Sequence, residues 1–82
     1  MSFDVKTVEL IAIGASVAAN CHPCIQTHVN KGLKAGLTEE EIKEAIEVGR
    51  TVRSGAANSM DKLVSNPAEL IANPAKSSGK CC

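Results

Sequence analysis

The sequence predicts an all-α domain, and three observations carry that expectation. Apolar side chains recur at intervals of three and four along most of the chain. Helix-start and helix-stop residues punctuate those runs, and no segment alternates apolar with polar as a half-buried strand would. The architecture expected is a compact bundle of three main helices plus a short C-terminal helix, occupying residues 1–74. The bundle is expected to be completed by oligomerisation, because a chain of 82 residues buries only roughly 60% of its unfolded surface.

The first helix is expected from Asp4 to Ala19, with Ser2 or Asp4 as its cap. Val5, Val8, Ile11 or Ala12, Ala15 and Ala18 or Ala19 follow the helical period. Leu10, Ile13 and Val17 occupy its other faces, so it is apolar nearly all round. A helix of that kind is covered on several sides, and in so small a protein another subunit is the expected cover.

The second helix is expected to begin at Asn20 or Cys21, with Asn20 a suitable N-cap, and to run to Ala35. Pro23 falls in its first turn, where a missing N–H costs nothing. Ile25, Val29 and Leu33 stack at intervals of four, and Gly36 ends the helix in a left-handed conformation. Thr38-Glu39-Glu40-Glu41 opens the third helix as a capping box with acidic residues in the first turn. Ile42, Ala45, Ile46, Gly49, Val52, Ala56, Met60 and Leu63 continue one apolar stripe for about seven turns. Between Gly49 and Ser59 the side chains become small, which suits a close approach by another helix of this chain or of a second subunit. Asn66-Pro67-Ala68-Glu69 opens the short last helix, which stops before Pro74. Residues 75–82 are rich in Lys, Ser and Gly and end in Cys81-Cys82, so a flexible tail is expected there.

Composition excludes several function classes. Nine basic and nine acidic residues leave a formal net charge of zero, which argues against general binding to nucleic-acid phosphates. Phe3 is the one aromatic residue, so there is no stacking platform for bases or sugars. The longest uncharged stretch, Leu10 to Asn30, is interrupted by Asn20, His22, Pro23, Gln26, Thr27 and His28 and does not read as a membrane span. Asp4 and Lys6 stand where a secretory leader would carry its basic start, so a cytoplasmic setting is expected. Thiols are kept reduced there, and paired cysteines are then catalytic or metal-binding more often than structural.

The chemistry concentrates in Cys21-His22-Pro23-Cys24, with His28 four residues on. One helical turn brings the two sulfurs within disulfide reach, and a helix N-terminus favours the thiolate, which is the form that attacks peroxides and disulfides. His28 lies one turn beyond Cys24 on the same face, where it can take a proton from a thiol or give one to a leaving group. Glu9 is the only charged residue between Thr7 and Asn30 and sits on the most apolar helix. It is either a carboxylate on a wet edge near Lys6 or a partly buried proton acceptor or donor. Two antiparallel helices turning near Asn20 would offset Glu9 and His28 by about 4–5 Å along the axis. That offset permits direct contact or a bridging water.

Glu9, then Cys21-x-x-Cys24-x-x-x-His28, then the helical hairpin "HVNKGLKAGLTEEEIKEAIEVG" resembles the alkylhydroperoxidase D-like branch of the carboxymuconolactone decarboxylase family, over roughly residues 5 to 64. The resemblance implies an all-helical fold assembled as a homo-oligomer, a trimer or hexamer, and a thiol peroxidase activity of the peroxiredoxin type. By the same resemblance Cys24 is the peroxidatic cysteine, Cys21 resolves its sulfenic acid into a disulfide, and Glu9 and His28 form a proton relay. No bound cofactor is implied; an external dithiol, lipoyl-like or thioredoxin-like, reduces the disulfide. The motif interior departs from the family's best-known peroxidase, with His22-Pro23 in place of Ser-His, and Pro23 gives it a thioredoxin-like character. The lactone decarboxylases of the family generally lack the cysteine pair.

The leading expectation is therefore a thiol-dependent oxidoreductase acting on a hydroperoxide or a disulfide, with no nucleic-acid or membrane partner. Two alternatives stand beside it. One is a metal-binding module using Cys21, Cys24 and His28, with Cys81 or Cys82 as a fourth ligand. The other is a helical redox-sensing or oligomerisation protein with no turnover of its own.

Overall fold

The computed structural model describes residues 2–73. Among them the chain forms four helices and no strand: α1 (Val5–Ala18), α2 (His22–Lys34), α3 (Glu39–Val64) and α4 (Pro67–Ala72). The all-α expectation holds, with three long helices and one short one. The tail, with Cys81 and Cys82, lies outside the described residues.

Each helix starts where a side chain can satisfy its free N–H groups. Asp4 caps α1 by accepting from the Thr7 backbone N–H at 2.8 Å. Thr38 and Glu41 form the reciprocal box expected for α3: the Glu41 N–H donates to Thr38 Oγ1, and the Thr38 N–H donates to Glu41 Oε1. These bonds from Thr7 and Thr38 hold the Asp4 and Glu41 carboxyls below their usual range. Each lowered group adds stability that is present above its unfolded-state value and is lost as falling pH protonates it in the folded chain.

α2 departs from the expected start. Its N-cap is Cys21, which makes no side-chain capping bond, and Asn20 belongs instead to the end of α1. There Asn20 takes a left-handed conformation, φ 55°. Its N–H donates to the Val17 carbonyl and the Cys21 N–H donates to the Ser16 carbonyl. This is the Schellman ending, and Asn is the residue after Gly that best tolerates it. α2 ends the same way at Gly36, φ 97°, with the Leu37 N–H reaching the Gly32 carbonyl. That bond turns Leu37 back over Gly32, where the two pack closely.

α1 lies between α2 and α3 and makes the principal contacts with both. The buried apolar core is small: Ile13, Leu37, Ile42 and Ala45, with Leu10, Ile25, Val29 and Ile46 packed around it. Within the chain α1 is covered on fewer sides than its composition predicts, and Val5 and Ile11 remain exposed. The apolar stripe of α3 is buried at Ile42, Ala45 and Gly49 and half-buried at Ile46, and every residue from Thr51 to Val64 is exposed. α4 touches α3 lightly. No helix of the described residues is long and apolar enough to cross a membrane.

α1 and α3 approach backbone to backbone at Gly14 and Gly49. A Cβ on Gly49 would run into the Gly14 carbonyl and would lie 2.8 Å from Val17 Cβ. Gly49→Ala therefore forces the two helices apart. The expected cost is about 1–3 kcal/mol from overpacking, which exceeds the roughly 1 kcal/mol gained in helix propensity. Thermal unfolding followed by circular dichroism checks this, and an unchanged or higher melting temperature would contradict the close approach.

Candidate redox site

Glu9 stands on the buried face of α1, one turn before Ile13, and its side chain is 9% exposed. A carboxylate that far from water needs a donor. His28 supplies it from α2, with Nδ1 2.7 Å from Glu9 Oε1. Of the two readings of Glu9, the structure selects the enclosed carboxylate and direct contact over a bridging water. The antiparallel packing of α1 and α2 brings the residues close enough for the Glu side chain to span the small axial offset.

The bond also sets the chemistry of the imidazole. With Nδ1–H donated to the carboxylate, Nε2 is left as the free proton acceptor of the neutral ring. His28 is partly exposed, at 30% of its side chain, so the pair is reachable from solvent on one side.

Cys21 and Cys24 are joined as a disulfide, their Cα atoms 5.2 Å apart, inside the span that a bridge needs. Both are half-buried, at the cap and first turn of α2. The same turn presents free backbone N–H groups, because Cys21 caps with its backbone alone. Pro23 lies in that turn without loss of a helical bond. His22 is exposed. All four residues singled out by the sequence thus belong to one region, the paired faces of α1 and α2 and the turn that joins them. Among the described residues no three metal-ligating side chains converge, so Cys21, Cys24 and His28 do not form a three-ligand cluster there.

Sequence reasoning missed how the Cys21 turn is braced. Arg53, from α3, donates through Nη1 to Asn20 Oδ1 at 3.1 Å and reaches the Val17 carbonyl at 3.5 Å. It thereby ties α3 to the residue just before Cys21 and places a cation against the C-terminal end of α1, where the helix dipole favours one. Nothing in the sequence marks this contact, because 33 residues separate its ends. Asn20→Ala should cost about 1–2 kcal/mol, since the left-handed conformation is penalised for a side chain without local hydrogen bonds and the Arg53 contact goes too. Asn20→Gly should cost less. Equal losses in urea unfolding for the two variants would show that conformation at position 20 is not what matters.

The chain is 39% identical over 56 residues to the uncharacterised protein 4 in the cox locus of Paracoccus denitrificans, covering 68% of this chain and 50% of that protein. It is 33% identical over 48 residues to the alkyl hydroperoxide reductase AhpD of Corynebacterium kroppenstedtii, covering 58% of this chain and 28% of that one. The chain thus spans half or less of the length of these curated relatives. No solved structure matches it. The carboxymuconolactone decarboxylase family model matches residues 2–62, which include α1, α2, the cysteine pair, Glu9 and His28, and the chain belongs to that family.

Proposed function

We propose that this protein is a thiol-dependent peroxidase that cycles Cys21 and Cys24 between dithiol and disulfide, with Glu9 and His28 moving the protons. The observation that carries the reading is the Glu9–His28 bond, 2.7 Å long and half-buried between α1 and α2, one helical turn beyond a cysteine pair in bridging position. Similarity to an alkyl hydroperoxide reductase supports the choice of a hydroperoxide as oxidant.

In the reduced protein His28 Nε2 takes the proton of the Cys24 thiol, and the free N–H groups at the start of α2 favour the resulting thiolate. The Cys24 sulfur attacks the terminal oxygen of a hydroperoxide ROOH. An S–O bond forms, the O–O bond breaks, and the departing RO⁻ takes the proton held on His28 to leave as ROH. Cys24 is then a sulfenic acid, oxidised by two electrons. The Cys21 sulfur displaces the sulfenic oxygen, which leaves as water with the Cys21 proton, and the Cys21–Cys24 disulfide results. An external dithiol, lipoyl-like or thioredoxin-like, restores both thiols and is itself oxidised to a disulfide. Glu9 does not touch the reacting sulfur. It orients the imidazole and stabilises its cation, as a carboxylate beside a general base does.

A disulfide reductase reading shares this cycle without the peroxide step, and Pro23 within the motif favours it. The two separate by the oxidant that reacts fast. On the peroxidase reading, reduced protein treated with one equivalent of an alkyl hydroperoxide forms the Cys21–Cys24 disulfide far faster than a free thiol oxidises, as followed by alkylation and peptide mass spectrometry. Cys24→Ser should abolish turnover, and Cys21→Ser should permit one oxidation and no recycling. Full turnover in both variants would end the proposal.

Glu9→Gln tests the relay. The amide can still bond the imidazole but cannot balance its cation, so the rate of disulfide formation should fall by roughly 10²–10⁴ if proton transfer is as important as in other general-base sites. Helicity should be retained. A Glu9→Gln protein that oxidises at the wild-type rate across pH 5–8 would remove Glu9 from the mechanism.

A further inference from the structure

Among the described residues, side-chain hydrogen bonds that link distant parts of the chain arise at two places. One is the Glu9–His28 bond, and the other is Arg53, whose Nη1 donates to Asn20 Oδ1 and reaches the Val17 carbonyl. Both lie at the redox site, yet the cycle set out above uses only the first. We propose that Arg53 is a positioning residue for the second half of that cycle. Acting through Asn20, it holds Cys21 in place to close the disulfide, and it has no part in the attack of Cys24 on the peroxide. The order of the two steps rests on the peroxidase reading; the brace itself does not.

The two cysteines are held by different means. Cys24 lies inside α2, in its first turn, and the helix fixes its backbone. Cys21 precedes the helix, at φ −95° and ψ 100°, so the turn before it sets where its sulfur points. Its N–H donates to the Ser16 carbonyl and its carbonyl accepts from the Ile25 N–H, both at 3.0 Å. The first of these bonds depends on Asn20, which stands in the left-handed region at φ 55°. That conformation is uncommon outside glycine, and a side chain there needs local hydrogen bonds. Arg53 supplies one from α3 by holding the Asn20 amide oxygen at 3.1 Å. Arg53 has no carboxylate partner among the described residues, so its bonds are to neutral oxygens. It is exposed, and water screens its charge from the sulfurs, so its effect on them is geometric.

Resolution is the step that this geometry governs. The Cys21 sulfur bonds to the Cys24 sulfur, the S–O bond of the sulfenic acid breaks, and the oxygen leaves as water with the Cys21 proton. The two sulfurs meet only while the Cα atoms stay near their 5.2 Å separation. Without the brace Asn20 leaves the left-handed region for part of the time, the Cys21 N–H lets go of Ser16, and the sulfur is in position less often. Reactions between two groups of one chain lose rate steeply with such misplacement. The attack on peroxide uses Cys24, His28 and the first turn of α2, to none of which Arg53 bonds.

The full-length reduced protein, given one equivalent of an alkyl hydroperoxide, separates the two steps. Peroxide consumption reports the first, and dimedone trapping of the Cys24 sulfenic acid with peptide mass spectrometry reports the second. Arg53→Met should consume peroxide at the wild-type rate and close the disulfide about tenfold more slowly, with the dimedone adduct accumulating on Cys24. Asn20→Gly removes the oxygen that Arg53 holds and should slow closure to a similar extent. Adding Arg53→Met to Asn20→Gly should then change little, because the two residues act as one unit. A second readout needs no peroxide: in glutathione buffers the equilibrium constant for forming the Cys21–Cys24 disulfide should fall by about tenfold in Arg53→Met. A wild-type protein that leaves peroxide untouched would end the peroxidase reading, and the glutathione equilibrium would still decide the brace. An Arg53→Met variant with wild-type closure or a wild-type glutathione equilibrium would overturn the proposal. So would one that slows peroxide consumption as much as closure, or one whose effect persists in full on Asn20→Gly.

Discussion

A carboxylate on the most apolar helix of an 82-residue chain has to be answered by a donor, and His28 is what answers Glu9. Burying the Glu9 carboxylate without a donor would cost several kcal/mol, whereas here it is bonded to the half-buried His28. Because the two residues come from different helices, the bond also fixes how α1 and α2 slide against each other. A slip of one turn would move them about 5 Å apart along the axis and leave the carboxylate bare. The register that places Ile13 at the centre of the core is therefore the register that satisfies Glu9. Stability and the candidate chemistry draw on one contact.

The turn that follows from this register does the rest. α1 must end and α2 must begin within three residues if Glu9 and His28 are to meet. The Schellman ending at Asn20 makes that reversal, and its last bond, from the Cys21 N–H to the Ser16 carbonyl, is made by the first cysteine itself. Cys21 thus has its backbone committed to the end of α1 and to the cap of α2, while its sulfur is free for Cys24. A cysteine pair held at the junction of two helices can be joined or parted without unfolding either of them. Arg53 braces the junction from α3, so the third helix takes part in holding the site although it gives no reactive group.

Much of this was legible in the sequence because it is local. The capping box at Thr38, the left-handed Gly36, the proline in the first turn of α2 and the C-x-x-C spacing are signals within one or two turns of chain, and all four stand as read. The pairing of Glu9 with His28 was legible for a different reason: a single charge on an apolar helix is conspicuous, and the turn near Asn20 limits what can face it. Asn20 was misassigned because Asn serves both helix starts and left-handed helix ends, and only the tertiary path decides between them. Ser16 and Leu37 escaped notice as buried residues. Ser16 is buried because its hydroxyl donates to the Ala12 carbonyl one turn back, and Leu37 because the bond to Gly32 folds it over α2. The bracing by Arg53 depends on where α3 lies, which no short-range pattern encodes.

The length of α3 is the feature that the single chain does not account for. A helix of 26 residues beside partners of 14 and 13 must project, and the projecting half keeps an apolar stripe that has no cover within the chain. Only four apolar residues form the buried core among those described, so the isolated domain has little core from which to draw stability. Covering the open groove between α1 and α3 would enlarge that core on the side of α1 opposite the site. Ile11 and Val48, now exposed, would become interior, while Glu9 and His28 would keep their access to solvent. The cysteine pair is built on the junction at the end of α1, where Asn20 takes its left-handed conformation and Cys21 caps α2.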